Sequence, residues 1–291
     1  MNNLRSMLFM PGNNPGMLVS ADQLGADAII YDLEDAVSLE EKDSARELVK
    51  NALINLAFEH SFVTVRMNPI DSPYWQDDLD AILPAEPDGI VIPKASVEAV
   101  QTVEKYVNDF YDKQQVKEED RTIRFLLLIE DAAGIINADK IAASTNRADA
   151  LLLGGEDYSV SMGVERTDDS KELEYARFRL ATCARAFHLD ALDTPFTDIN
   201  DEEGLKKDTA FSKQIGFNGR LVINPRQIPA IHRIFTPSQE KIEDAQIVLQ
   251  AAEDARKNGK GVFSFRGKMV DKPVISRAEN LVKAAKEWGL L

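Results

Sequence analysis

The chain has 291 residues, 44% hydrophobic and 29% charged, enough to bury one large core, and α/β barrels of about 250 residues are routinely single domains. A formal charge of −15, from 34 basic and 49 acidic residues, with no basic stripe excludes the electrostatics of a nucleic-acid binder. No apolar run approaches the ~18 residues of a membrane span, Asn2–Arg5 opens no signal-peptide pattern, and the single cysteine, Cys183, excludes an internal disulfide; the expectation is a cytoplasmic protein away from membranes.

In chain order, Ser6–Met10 is an apolar run stopped by Pro11–Gly12 and predicts a first strand. Pro15–Leu24 predicts a helix, with Asn14 as cap, Pro15 at its first position and Gly25 as its stop. Ala28–Tyr31 predicts strand two, running into Asp32, Leu33, Glu34 and Asp35. Ser38 with Glu41 three residues on has capping-box spacing and opens a helix. Phe62–Val65 is strand three, ending at Arg66 and Asn68, and is followed by a helix around Gln76–Leu83. Gly89–Ile92 is strand four, ending at Pro93-Lys94, and Ser96 caps a helix through about Tyr111. Lys113–Arg121 is a solvated, charge-rich connection.

Arg124–Ile129 and Ala150–Leu153 are short apolar runs that stop abruptly at carboxylates, which reads as strands five and six buried on both faces. A helix around Ile135–Ala143 separates them. Ser170–Phe187 predicts a long amphipathic helix, Ala191–Asp193 a weak seventh strand ending near Thr194, and Glu202–Ile215 a helix ended by Gly216. Leu221–Ile223 is strand eight, ending at Asn224-Pro225-Arg226. Strand and helix alternate eight times, a rhythm that implies parallel pairing through right-handed crossovers. The predicted fold is a (β/α)8 TIM barrel over residues 1–238, with a C-terminal helical extension over 239–291. The extension holds a helix to about Asn258, a break at Gly259 and Gly261, the segment Val262–Phe265, then Arg266–Asp271, and a last helix from about Val274 to Trp288. It is too small for a secure core of its own and is expected to pack on the barrel.

The predicted strand ends carry Gly12, the acidic cluster Asp32, Glu34 and Asp35, Arg66, Lys94, Glu130, Asp157, Thr194 and Asn224. Catalytic residues in this fold come from that face, contributed by several strands. Glu130 and Asp157 are the expected metal ligands, because two carboxylates from neighbouring strands hold a hard cation and leave it several waters, which suits Mg²⁺. Each alone also reads as a helix N-cap or half of a buried ion pair, and Asp131 is placed to cap the following helix. Arg66 offers a planar fork for a substrate carboxylate, with the Asp32–Asp35 cluster as its competing partner. Gly154-Gly155 admits close approach of backbone N–H groups to a ligand, but lacks the third glycine of a dinucleotide fingerprint.

Absences narrow the chemistry further. His60 precedes strand three and lies on the wrong face, while His188 and His232 fall on predicted helices. None has zinc-site spacing, and Cys183 sits in a helix. There is no Gly-x-Ser-x-Gly elbow and no P-loop. Strand six ends without a lysine, so Lys94 is the one Schiff-base candidate, with an ion pair as its competing role.

Six ordered motifs, RSMLFMPGNNPGML, YDLEDAVSLEEKDSAR, VRMNPIDSPYWQDDLDAIL, GGEDYSVSMG, GFNGRLVINPRQI and GKMVDKPVI, resemble the citrate lyase beta-subunit branch of the HpcH/HpaI aldolase and citrate lyase family nearly end to end. The resemblance implies a (β/α)8 barrel that associates as a homotrimer or a multiple of one. It implies Mg²⁺, or Mn²⁺ in its place, on Glu130 and Asp157, and a substrate carboxylate on Arg66. It further implies Asp32, Glu34 and Asp35 behind the metal waters and Arg66, and Asp271 reaching a neighbouring subunit's site as acid/base. Asp271 otherwise reads as a turn residue before Lys272-Pro273. The implied reaction is cleavage of citryl-CoA, or citryl on an acyl carrier protein, to oxaloacetate and an acetyl thioester. Gly155, Glu156 and Asn224 are expected to help bind the acid, the CoA thioester is the substrate arm, and a citrate lyase alpha subunit and acyl carrier protein are the implied partners. Alternatives are a malyl-CoA or citramalyl-CoA lyase, a malate synthase-like thioesterase, a non-catalytic scaffold subunit, and a Lys94-dependent aldolase. Departures from the family pattern are Asp131 where Ser or Thr is common, Arg220 in place of a lysine, and Asn224 where malyl-CoA lyases carry histidine.

Overall fold

A computed structural model describes residues 4–257, 263–265 and 268–291. Eight parallel strands close into a barrel in sequence order: β1 (Ser6–Pro11), β2 (Ala28–Asp32), β3 (Phe62–Arg66), β4 (Gly89–Ile92), β5 (Arg124–Ile129), β6 (Ala148–Leu153), β7 (Asp190–Asp193) and β8 (Gly219–Val222). The seam is β8 against β1, with Ser6 opposite Arg220 and Leu8 opposite Val222. The predicted TIM barrel is the observed fold. Strands β2, β4, β7 and β8 are buried along their whole length, as expected when a barrel interior lies on one face and helices on the other. Met7, Ile30, Val91, Leu126, Leu128, Leu152, Leu192 and Leu221 fill the interior as one apolar cluster.

Local chemistry sets most boundaries as predicted. The Asn14 side chain accepts the Met17 N–H, Ser96 caps Val97–Lys113 through the Ala99 N–H, and Gly216, left-handed at φ 111°, ends Glu202–Ile215. Several expectations need correction. The Ser38 hydroxyl donates to Glu41 Oε2 at 3.1 Å and makes no backbone cap; a 3-10 turn, Leu39–Glu41, comes first and the α-helix starts at Lys42. The helix after β5 is two short helices, Ala132–Ile136 and Ala138–Ala142, broken at Asn137, whose side-chain amide donates to the Ala133 carbonyl. Ser170 is left-handed and a 3-10 turn, Lys171–Leu173, comes next, so the α-helix starts only at Glu174 and runs to Ala186; His188, expected on a helix, is left-handed beyond its C-terminal end.

The chain divides into two compact units, Met1–His232 and Arg233–Leu291. The division falls within a helix, Ile228–Phe235, which carries His232, expected on a helix although no bounds were predicted for it; it continues directly from a 3-10 turn at Pro225–Gln227, which Ile223 and Asn224 separate from β8. In the second unit, helices Gln239–Lys257 and Lys272–Glu287 pack on each other. Strands β9 (Phe263–Phe265) and β10 (Lys268–Val270) pair antiparallel. The expected break at Gly259 and Gly261, together with Val262, Arg266 and Gly267 of the segments after it, lies outside the described residues.

Candidate active site

Side chains alternate inward and outward along a strand, so the interior cluster decides which residues meet at the rim. Two positions beyond Met7, Ile30, Leu128, Leu152, Leu192 and Leu221 stand Phe9, Asp32, Glu130, Gly154, Thr194 and Ile223. All six line a single cleft of about 370 Å³, together with Arg66, Asp35, Gly155, Glu156 and Asp157. The period-2 pattern that fills the core also builds the site at the C-terminal mouth.

On one side of the cleft, Arg66 is buried among acids. Its Nε and Nη2 each donate to an Asp32 carboxylate oxygen at 2.7 Å, Nη1 lies 2.9 Å from Glu34 Oε2 and donates to Asp35 Oδ2 at 3.3 Å. The Phe9 ring sits under the guanidinium, 4.9 Å from centroid to Cζ. The competing reading of Arg66, pairing with the acidic cluster, is therefore realised: Asp32 uses up the edge of the fork, and Nη2 keeps one N–H beyond its Asp32 bond. Asp32 also accepts the Glu34 and Ala36 N–H groups, which fixes the loop that carries Glu34. Lys42, itself buried, donates to the Leu33 and Glu34 carbonyls at 2.7 and 2.6 Å and holds that loop from behind.

On the other side, Glu130 leaves the end of β5 with Oε1 accepting the Lys94 N–H at 2.7 Å. Burial pushes its carboxyl up to about 8, and the nearby charges of Glu34 and Asp157 push in the same direction. Burial likewise pushes Glu34 up to about 7, against the pull of Arg66. Among the described residues the sole close polar partner of Glu34 Oε2 is the Arg66 guanidinium, an ion pair at 2.9 Å without hydrogen-bond geometry. The mutually repelling carboxylates of Glu130, Glu34 and Asp157 fit a divalent cation, which would reverse the charge balance. Among the described residues no group of three or more His, Cys, Asp or Glu side chains forms a metal cage. Glu130 with Asp157 would leave positions for water, the coordination Mg²⁺ favours.

Asp157 stands in the first turn of the helix Gly155–Met162, past the strand end, and is exposed. Gly154 and Gly155 seat that helix: a Cβ on Gly154 would lie 2.5 Å from Glu130 Cβ, and one on Gly155 2.7 Å from Thr194 Oγ1. The Gly155 N–H, expected to meet a ligand, donates instead to Thr194 Oγ1 at 3.0 Å. The first-turn N–H groups of Glu156 and Asp157, which no helix satisfies internally, remain beside the cleft. Glu156 pairs with Arg166 at 2.9 Å.

Other predicted residues fall elsewhere. Asn224 accepts the Arg226 N–H to cap the 3-10 turn and does not line the cleft. Asp271 caps Lys272–Glu287 through the Val274 N–H at 3.3 Å, within the second unit. Asp131 caps as expected, accepting the Gly134 N–H. Lys94 is exposed in a left-handed conformation and its contribution is its backbone N–H. Phe9 and the wedge of Gly154 against Glu130 had no signal in the sequence beyond their place near a strand end, and Lys42, at the start of the helix Lys42–Asn55, had none.

The HpcH/HpaI aldolase/citrate lyase family profile matches residues 5–225. Citrate lyase subunit beta of Leuconostoc mesenteroides subsp. cremoris is 41% identical over 282 residues, spanning 97% of this chain and 93% of that one. The mitochondrial citramalyl-CoA lyase of Mus musculus is 30% identical, over 97% and 86%. The crystal structure of CitE from Mycobacterium tuberculosis in complex with magnesium, acetoacetate and coenzyme A is 28% identical and superposes with a TM-score of 0.78, covering 98% of this chain and all of that one. With barrel, rim and near-full-length likeness in agreement, the chain belongs to the HpcH/HpaI aldolase/citrate lyase family.

Proposed function

We propose that the protein is a magnesium-dependent carbon–carbon lyase that cleaves a citryl thioester, on CoA or on an acyl carrier protein, to oxaloacetate and an acetyl thioester. The observation that carries this reading is the pairing, in one cleft, of the Glu130 and Asp157 carboxylates with Arg66. The likeness to citrate lyase subunit beta and to a magnesium- and CoA-bound neighbour supports it.

Glu130 and Asp157 would hold the ion, with Glu34 and Asp32 behind them. When bound, the ion supplies Lewis-acid stabilisation of negative charge developing on the substrate's hydroxyl oxygen. Arg66 orients a substrate carboxylate with its remaining Nη2 N–H, held in place by Asp32 and by the Phe9 ring. The Glu156 and Asp157 N–H groups offer a second anion contact at a helix N-terminus. Asp271, supplied by a second copy of the chain, takes the hydroxyl proton. The bond between the carbinol carbon and the thioester methylene then breaks, its electron pair passes to the methylene carbon, and the same proton returned there completes the acetyl thioester.

The intersubunit role of Asp271 requires an assembly, for which a homotrimer or a multiple of one is proposed, in the cytoplasm. The relatives' designation as a subunit supports alpha-subunit and acyl-carrier partners. The apolar wall of Phe9, Leu128, Leu221 and Ile223 and the citramalyl-CoA lyase relatives favour a second reading, a substrate with a methyl group in place of one carboxymethyl arm.

The test is to incubate the purified protein with citryl-, citramalyl- and malyl-CoA, with and without Mg²⁺, and to identify the oxo acid. Oxaloacetate from citryl-CoA is expected, dependent on Mg²⁺ and lost in Glu130→Ala and Asp157→Ala. Near wild-type turnover in both variants would sink the proposal, and pyruvate from citramalyl-CoA as the faster reaction would establish the second reading.

A further inference from the structure

We infer that Thr194 is a positioning residue for the helix that bears Asp157, pinned by a buried ionic network on the outer face of the barrel. The inference rests on the assignment of Asp157 as a metal ligand. Asp193 ends β7 and Thr194 follows it directly in the chain, so their side chains point to opposite faces. Thr194 follows the inward parity to the cleft wall, and Asp193 faces the surrounding helices. There Asp193 meets Arg177, whose Nε donates to Oδ1 at 3.1 Å and whose Nη2 lies 3.0 Å from Oδ2, and Arg220, whose Nη2 donates to Oδ2 at 3.1 Å. Asp208 accepts from Nη1 and Nη2 of Arg177 at 2.8 Å each and pairs closely with Arg220. The Ser212 hydroxyl donates to Asp193. Arg177, Arg220 and Asp193 are at most 1% exposed.

Two arginines and two aspartates balance in charge, but a buried ionic cluster is weak evidence for stability in itself. Its specific effect falls on Thr194. The Thr194 N–H donates to Asp193 Oδ1 at 2.9 Å, and its carbonyl accepts from Arg220 Nε at 2.9 Å. Both backbone groups of one residue are therefore tied to charged partners, the stronger class of hydrogen bond. From that fixed backbone the Thr194 hydroxyl accepts the Gly155 N–H at 3.0 Å. The Gly154–Gly155 peptide is wedged between Glu130, just past β5, and Thr194, just past β7, with no room for a Cβ on either glycine. Asp157 follows on the first turn of the helix that starts there. The separation of the two carboxylates is thus set from both sides, and Arg220 acts on it through Thr194.

Removing the hydroxyl leaves the buried Gly155 N–H unpaired and frees the helix start. Loss of a group that orients a metal ligand typically weakens metal affinity about 10- to 100-fold. The test is Mn²⁺ binding, read from the EPR signal of free Mn²⁺, alongside thermal unfolding of the metal-free protein. Wild type, Thr194→Val, Thr194→Ser, Arg220→Lys and Asp157→Asn are compared. Thr194→Val is expected to bind about 10- to 100-fold more weakly while still unfolding cooperatively at a somewhat lower melting temperature, the cost of the unpaired N–H, with Thr194→Ser returning close to wild type in both. Arg220→Lys, which keeps the charge but loses the Nε donor to the Thr194 carbonyl, is expected to fall between them, and it decides the matter if Thr194→Val does not fold. Wild-type affinity in Thr194→Val, or in Arg220→Lys if only that variant folds, overturns the inference, while loss in Asp157→Asn alone leaves the metal assignment standing. Absence of Mn²⁺ binding in the wild type overturns the metal assignment and this inference with it.

Discussion

At the scale of single residues, the rim is governed by how few atoms separate opposite charges. Arg66 satisfies Asp32 with two parallel bonds and reaches Glu34 and Asp35 with the other arm. An ammonium cannot reproduce that fork. Arg66→Lys is expected to keep the fold by circular dichroism yet lower kcat/KM on the order of 100-fold, the scale of a misplaced binding group; a loss below about threefold would remove Arg66 from substrate orientation. Gly154 makes the opposite point, since its value lies in an absent atom. Gly154→Ala would drive a Cβ to 2.5 Å from Glu130 Cβ, and overpacking of this kind costs about 1–3 kcal/mol. Urea unfolding should show that loss, with weakened Mn²⁺ binding beside it, and unchanged values for both would mean that the turn relaxes freely.

At the scale of elements, β7 and β8 are joined to helices Glu174–Ala186 and Glu202–Ile215 by the cluster of Arg177, Asp193, Asp208 and Arg220. Burial pushes the Asp208 carboxyl up, but Arg220 and Arg177 outweigh it and hold it at about 2, below the ordinary 3.8. A folded value below the unfolded one means that the stabilisation is fully present above the ordinary carboxylate range and is lost as pH falls through about 2. The shift corresponds to roughly 2 kcal/mol. Between about pH 5 and pH 2, metal-free wild type should lose roughly that much more stability to urea than Asp208→Asn; parallel losses would show that the pairing adds nothing. Arg220→Met, which leaves Asp193 and Asp208 short of a cation, should cost about 3–5 kcal/mol in the same measurement.

At the scale of the molecule, the proposed site needs two chains. Glu130 and Asp157 belong to the barrel and Asp271 to the second unit, where its helix cap occupies one carboxylate oxygen. If Asp271 acts in a neighbour's cleft, Glu130→Gln and Asp271→Asn homo-oligomers should each be inactive, while mixing them through unfolding and reassembly restores turnover, because some clefts then hold both wild-type groups. No recovery in verified mixed oligomers would place the acid/base group elsewhere.

The sequence by itself determined the barrel, because eight apolar runs in alternation with helices leave one economical parallel arrangement. It also marked the rim, because each run stops where polarity resumes: Glu130 after Arg124–Ile129 and Arg66 after Phe62–Val65 were legible as strand ends. The helix caps at Asn14, Ser96 and Asp131 followed from spacing alone. What remained depends on partners distant in the chain. That Arg66 is already engaged by Asp32, that the Gly155 N–H is taken by Thr194, and that Arg177 and Arg220 meet Asp193 and Asp208 are all consequences of which strands are neighbours and which face each side chain takes. Asn224 shows the same limit from the other direction: its place after β8 suggested a ligand contact, but its carboxamide turns back to its own backbone. Local sequence fixes periodicity and capping because those forces act over a few residues; pairing across the barrel is decided only when closure brings separate strand ends within hydrogen-bond distance.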